Sequence, residues 1–161
     1  MKIFICGSRT LTDRKWIFAK LDSYVREKGL PRDAEILEGE AQGVDLLAKD
    51  WAEKRGYKVL EYPADWNKFH FKAGFIRNEQ MAKDCDAVVL LWTGKSSGTF
   101  HDIMMAKKYS KPYSLYLYNC PKDFEERIAD VLENHKEILD EKDVMKAFKK
   151  FKNLVGLQFF S

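Results

Sequence analysis

Apolar and polar positions along the first 119 residues follow two different periods. Short apolar runs of strand length occur at "KIFIC" (2–6), "AEILEG" (34–39), "YKVLEYP" (57–63), "DAVVLLWT" (86–93) and "KPYSLYLYN" (111–119). Between them, apolar residues recur at helical spacing. In "LTDRKWIFAKLDSYVREKG", Thr12 or Asp13 supplies an N-cap, Trp16, Ile17, Leu21, Tyr24 and Val25 form one stripe, and Gly29 closes the helix. Further helices are predicted over 43–56, ending at Gly56, over 77–85, and over about 98–110. The aromatic-rich "ADWNKFHFKAGFI" follows neither period and reads as irregular. From Cys120 onward the pattern changes to two amphipathic helices, "PKDFEERIADVLENHKEI" and "DEKDVMKAFKKFKN", followed by "LVGLQFF".

Five strands alternating with helices predict an α/β protein. The expected architecture is Rossmann-like and doubly wound, with a mainly parallel sheet of about five strands, helices on both faces, and a C-terminal helical extension. "DAVVLLWT" is the most apolar run and reads as a central strand. Residues 1–119 form the expected ligand-binding unit, and 120–161 an extension packed on the same domain. In such folds ligands bind outside the carboxyl ends of the strands, near the point where strand order reverses. That rule selects the loops after Cys6, Glu38, Tyr62 and Trp92.

Composition narrows the function class. At 161 residues the chain fits one domain, and 45% hydrophobic residues exclude a disordered chain. A net charge of +3 argues against a dedicated duplex-DNA binder but leaves room for a local basic patch. Cys6, Cys85 and Cys120 form no CxxC pair, and His70 and His135 have no partners at ligand spacing, so no metal is expected. The cysteine pattern suits a reducing, cytoplasmic compartment. No run approaches the roughly 18 apolar residues of a membrane span, and "MKIFICGS" reads as a buried strand rather than a signal peptide.

Each of the four loops carries a candidate. In "CGSRTLTD", Gly7 permits a tight turn, Ser8 offers a hydroxyl, and Arg9 offers a planar cation suited to phosphate. In "EGEAQGVDLLA", Gly39 and Gly43 bracket a turn, and Asp45 is either a helix-start carboxylate or a ligand contact. The third loop places Trp66, Phe69, Phe71 and Phe75 where aromatics either stack on a base or cover an apolar edge. Behind it, Arg77 and Asn78 suit a phosphate and a ribose hydroxyl. In "TGKSSGT", Gly94 and Gly98 flank "KSS", Thr99 begins a helix, and His101 and Asp102 fall in its first turn. The order is neither GxxxxGK[ST] nor GxGxxG, so no nucleoside-triphosphatase or dinucleotide-cofactor site is expected. No cofactor is required by any of these motifs.

Together, "GSR", "GEAQGVD", "PADW…AGFIRNEQM" and "TGKSSGT" resemble the SLOG superfamily, specifically its small YspA/YpsA-like branch, over residues 1 to 118. The resemblance implies a nucleotide or nucleotide-derived ligand held by its phosphate. The DprA Rossmann domain, from a protein that binds single-stranded DNA, has a similar "GSR" and a turn matching Ala41 to Asp45. The LONELY GUY phosphoribohydrolases carry Arg-Lys-x-x-Met, here Arg77-Asn78-Glu79-Gln80-Met81, and Gly-Gly-x-Gly-Thr-x-x-Glu, here a looser Gly94 to Asp102. In the enzymes' terms Arg77 and Asp102 are the catalytic positions. Asn78 for Lys and Asp102 for Glu depart from that pattern, while Gly98 and Thr99 keep it.

Three functions follow as expectations. The first is binding of a nucleotide-derived ligand, the second N-glycosidic hydrolysis of a nucleoside monophosphate, and the third DprA-like binding of single-stranded nucleic acid through Arg9, Lys72, Arg77 and Lys95. Acidic Glu38 and Glu40 beside the site count against the third. The resemblance also implies a homo-oligomer, in which exposed Phe159 and Phe160 would serve an interface and buried ones the core.

Overall fold

A computed structural model of the chain describes residues 1–156. The terminal Phe159 and Phe160 lie outside the described residues. Five strands, β1 (Lys2–Gly7), β2 (Glu35–Glu38), β3 (Lys58–Glu61), β4 (Ala87–Trp92) and β5 (Tyr113–Leu117), form one sheet of order β3-β2-β1-β4-β5, parallel throughout. The fold is therefore the Rossmann-like α/β architecture that the alternating pattern predicts. The chain winds outward from β1 to β3, then returns to place β4 on the other side of β1, so strand order reverses between β1 and β4. Their register pairs Gly7 with Leu91, which brings the loops after both strands to the same level.

Side chains alternate across the sheet, as two-residue strand periodicity requires. Ile3, Ile5, Val89 and Leu91 face the core under α1 (Arg14–Lys28) and α2 (Val44–Lys54). Phe4, Cys6, Val88, Leu90 and Trp92 face the opposite core. Helix α1 begins where Asp13 accepts a hydrogen bond from the Trp16 amide at 3.0 Å, and it ends at Gly29 in the left-handed conformation.

The segment read as irregular is ordered. It forms a short helix, α3 (Trp66–Phe69), a 3₁₀ turn (His70–Lys72), and then α4 (Ala73–Asp84), four residues earlier than the sequence pattern predicts. Asp65 caps α3 by accepting from the Lys68 amide at 3.1 Å. Gly74 lies in the first turn of α4, close to the Trp66 ring.

Helix α5 (Ser97–Lys108) has eight buried residues, Thr99 to Ala106, and is covered by α6 (Lys122–Asn134), a 3₁₀ segment (Lys136–Asp140) and α7 (Val144–Val155). Phe124, Ile128, Val131 and Leu132 of α6 and Ala147, Phe148, Phe151 and Val155 of α7 join the same core as β4 and α5. Stacked rings carry the contact: Trp92 to Phe151 at 5.6 Å and Phe100 to Phe151 at 4.9 Å between centroids. The extension thus completes the hydrophobic layer that fixes α5, and α5 supplies one wall of the site. Phe151→Ala should lower unfolding free energy by about 3–5 kcal/mol, the cost typical of emptying a buried aromatic position. Urea denaturation checks this; a loss under about 1 kcal/mol would mean that α7 is not part of the core.

Candidate functional site

At the reversal between β1 and β4 the loops part around a cleft of about 470 Å³. Its lining includes twelve of the residues singled out in the sequence: Gly7, Arg9, Asp45, Trp66, Phe71, Phe75, Arg77, Asn78, Lys95, Gly98, Thr99 and Asp102. It also includes Cys6, Thr10, Ala41, Gly74, Ser96 and Ser97. The first turn of α5 is central to it. Ser97, Gly98 and Thr99 all face the space, and the amides of a helix's first turn have no intrahelical acceptor. Such a helix start attracts anions through its amides and its dipole.

Four of the expected ligand contacts do other work. Ser8 is 1% exposed and lies outside the lining. Its hydroxyl accepts from the Thr93 amide at 3.1 Å and lies 3.2 Å from Thr93 Oγ1 and 3.4 Å from Ser96 Oγ. It thereby staples the β1 loop to the β4 loop. Gly43, at φ +74, caps α2 with its backbone against the Ser8 and Arg9 carbonyls; a Cβ there would sit 2.6 Å from the Ser8 oxygen. Gly39 lies beneath Arg77, where a Cβ would come within 2.8 Å of the guanidinium carbon. Gly94 turns away from the cleft, towards Phe124 and Ile128 of α6.

A chain of hydrogen bonds crosses the floor. Arg77 Nη1 donates to the Gly39 carbonyl and Nε to Asn78 Oδ1 at 2.9 Å, while Asn78 Nδ2 donates to Asp102 Oδ1 at 2.8 Å. On the other side, Asp45 Oδ2 accepts from the Gly39 and Ala41 amides, each at 3.2 Å. Asp45 therefore clips its own loop, and Asn78 occupies the gap between Arg77 and Asp102. The amide at 78 satisfies both neighbours at once, as donor to one and acceptor from the other.

The carboxylates here are held in unfavourable surroundings for charge. Burial pushes Asp102 up to about 8, reinforced by the Asp45 charge, against partial compensation from Cys6, Asn78 and Arg77. Burial raises Asp45 to about 6 despite its two amide bonds. Glu38, fully buried at the end of β2, is raised to about 7 by burial; its Oε2 accepts from the Glu40 amide at 2.6 Å and its Oε1 has no partner. None of the ion pairs among the described residues includes Asp45 or Asp102. His101 does not line the cleft. Its ring packs at a tilt of 53° against Phe75, with 4.6 Å between centroids, and burial lowers it to about 4.

The aromatic residues divide between packing and exposure. Phe75 is partly covered by His101, whereas Trp66 is 50% and Phe71 80% exposed at the rim. Sequence reasoning named the third-loop aromatics without separating these roles. It did not name Thr10, took Ala41 only as part of a turn, and read Cys6 solely as core. Lys95 entered only the nucleic-acid reading, although the side chain faces the same space as Arg9.

The raised Asp102 gives a directional expectation. The folded protein retains a proton that the unfolded chain, at an ordinary carboxylate value, has released, so stability falls as pH rises from about 4 to about 8. Asp102→Asn removes this contribution. Its melting temperature should exceed that of the parent at pH 9, by roughly 2–4 °C for each kcal/mol gained, and the advantage should vanish near pH 4. Equal melting curves at both pH values would contradict a buried carboxyl of this kind.

Comparison with known proteins agrees with this architecture. Residues 1–69 match the family model described as YAcAr, the YspA, cpYpsA-related SLOG family. Curated proteins gave no match. Among solved structures, the chain is similar to DNA processing protein A from Helicobacter pylori, described for its unique single-stranded DNA binding mode. That likeness has 20% identity and a TM-score of 0.55, and covers 95% of this chain and 80% of the other. At that identity it establishes the fold. The resemblance carried by "GSR" and "GEAQGVD" is thus matched over residues 1–69 by the YspA, cpYpsA-related SLOG family model, within a chain whose fold is Rossmann-like α/β.

Proposed function

We propose that the cleft binds a nucleotide or nucleotide-derived ligand, such as a nucleoside monophosphate or an ADP-ribose-like molecule, by its phosphate. The observation that carries this reading is the joining of three elements around one space. The open first turn of α5 faces the cations Arg9, Lys95 and Arg77, with exposed Trp66 and Phe71 at the rim. Free amides and cations suit a phosphate, and exposed rings suit a base. The match of residues 1–69 to a SLOG family model supports the same ligand class.

Hydrolysis of the N-glycosidic bond is the alternative, favoured by the presence of Asp102 in the lining. An oxocarbenium-like ribose needs an ionised carboxylate nearby. Asp102 is 3% exposed and raised to about 8, so it is mostly neutral at pH 7 and suited to donating a hydrogen bond. That chemistry favours binding without cleavage. Single-stranded nucleic acid is a further alternative, on the strength of the exposed rings and of the single-stranded DNA binding described for the H. pylori protein.

Calorimetry with AMP and ADP-ribose tests the main reading. Saturable binding is expected, weakened roughly tenfold or more by Arg9→Ala or Lys95→Ala, as for loss of a charge-assisted hydrogen bond. No binding of either ligand would rule it out. Base release from AMP that disappears in Asp102→Asn would instead establish the hydrolase. Salt-sensitive binding of an oligonucleotide, lost in Trp66→Ala, would favour the nucleic-acid reading.

A further inference from the structure

We propose that the cleft takes up a proton when it binds a phosphate-bearing ligand, with the Asp102 carboxyl as the main site of uptake. This rests on the nucleotide-binding reading and specifies how that site is regulated.

The geometry places a buried carboxyl with no ion-pair partner among the described residues in a space otherwise suited to anions. Asp102 lines the cleft next to the free helix start at Ser97, Gly98 and Thr99. The one cation close to it on α4, Arg77, directs Nη1 to the Gly39 carbonyl and Nε to Asn78. What reaches Asp102 is the neutral Asn78 amide. The groups facing it are Cys6 from β1, Asp45 from α2, and Arg77 and Asn78 from α4. On its own helix, His101 is the next titratable side chain, and burial keeps it neutral above about pH 4. Arg9 and Lys95 line the same cleft from the two loops.

A phosphate dianion entering this space meets a carboxyl that is either neutral or charged. A negative charge in the same partly desolvated cleft weakens binding of the dianion by about tenfold or more. The ligand therefore favours the protonated form. One proton moves from solvent to a carboxylate oxygen of Asp102, and no other bond changes. Asp45, raised to about 6 and clipped to its loop amides, contributes in the same direction at lower pH. With Asp102 raised to about 8, the coupling is strongest between pH 8 and pH 9. An ordinary phosphate monoester, whose second pKa is about 6, adds no proton of its own there.

AMP titrated into the protein at pH 7, 8 and 9, in two buffers of different ionisation heat, reads the coupling directly. Binding heats should differ between the buffers by the uptake of up to one proton. The dissociation constant should rise about three- to fivefold from pH 8 to pH 9. Asp102→Asn should flatten that pH dependence and remove most of the buffer-dependent heat. Binding with identical heats in both buffers overturns the proposal while leaving nucleotide binding intact. So does an unchanged proton uptake in Asp102→Asn. If that variant does not fold, the buffer dependence of the unmodified protein decides. Absence of AMP and ADP-ribose binding at every pH removes the underlying reading and the coupling together.

Discussion

The side chain of Ser8 joins the two loops on which the site depends. A parallel sheet whose order reverses between β1 and β4 leaves a gap at the carboxyl ends of those strands. A gap alone is not a site, because each loop could settle independently. The buried Ser8 hydroxyl, bonded to the Thr93 amide and close to Thr93 and Ser96, sets the distance between them. Ser96 then accepts from the Trp92 indole at 3.0 Å and donates to Thr99 at 2.9 Å, so the same network fixes the start of α5. On the other side, the Ser8 carbonyl accepts from the Leu11 and Val44 amides. A short chain of hydroxyls and amides thus aligns the β1 loop, the α2 start and the α5 start. The aromatic stack of Trp92, Phe100 and Phe151 holds α5 from behind.

Charge in the cleft follows from what this frame leaves unsatisfied. Arg77 has part of its donor capacity committed to Gly39 and Asn78, which anchors α4 to the β2 loop. Arg9 and Lys95 remain on the walls, and the acids Asp45 and Asp102 remain on the floor without ion-pair partners among the described residues. Buried carboxyls in such surroundings resist ionisation. The cleft therefore offers fixed positive walls and a floor whose charge depends on protonation. This division is hard to reconcile with a carboxylate poised for glycoside cleavage, and it fits a site that holds an anion.

Much of this architecture is legible in the sequence because buried parallel strands leave a strong signal. "KIFIC" and "DAVVLLWT" read as strands at once, since no polar face interrupts them. Asp13 and Gly29 mark the ends of α1 for the same local reasons that operate in the structure. The α3–α4 region was not legible. Its aromatics are spaced to serve a rim and a helix contact rather than one apolar stripe, and Gly74 breaks the pattern without breaking the helix. Residue type pointed to the loops that surround the cleft but did not separate the residues that line it from those that shape its backbone. Ser8, Gly39, Gly43 and Gly94 are needed by the backbone that shapes the cleft. Their positions could not be told from those of Gly98 or Arg9 by composition or spacing.

The central claim is that α5's first turn receives the phosphate of a nucleotide. Amide chemical shifts followed by nuclear magnetic resonance during titration with AMP test it at single-residue level. The account predicts that the largest shifts fall on Ser97, Gly98 and Thr99, accompanied by the Trp66 indole. Saturating shifts confined to residues away from the cleft, such as those around Trp51 and Arg55, or no shifts at all, would contradict it.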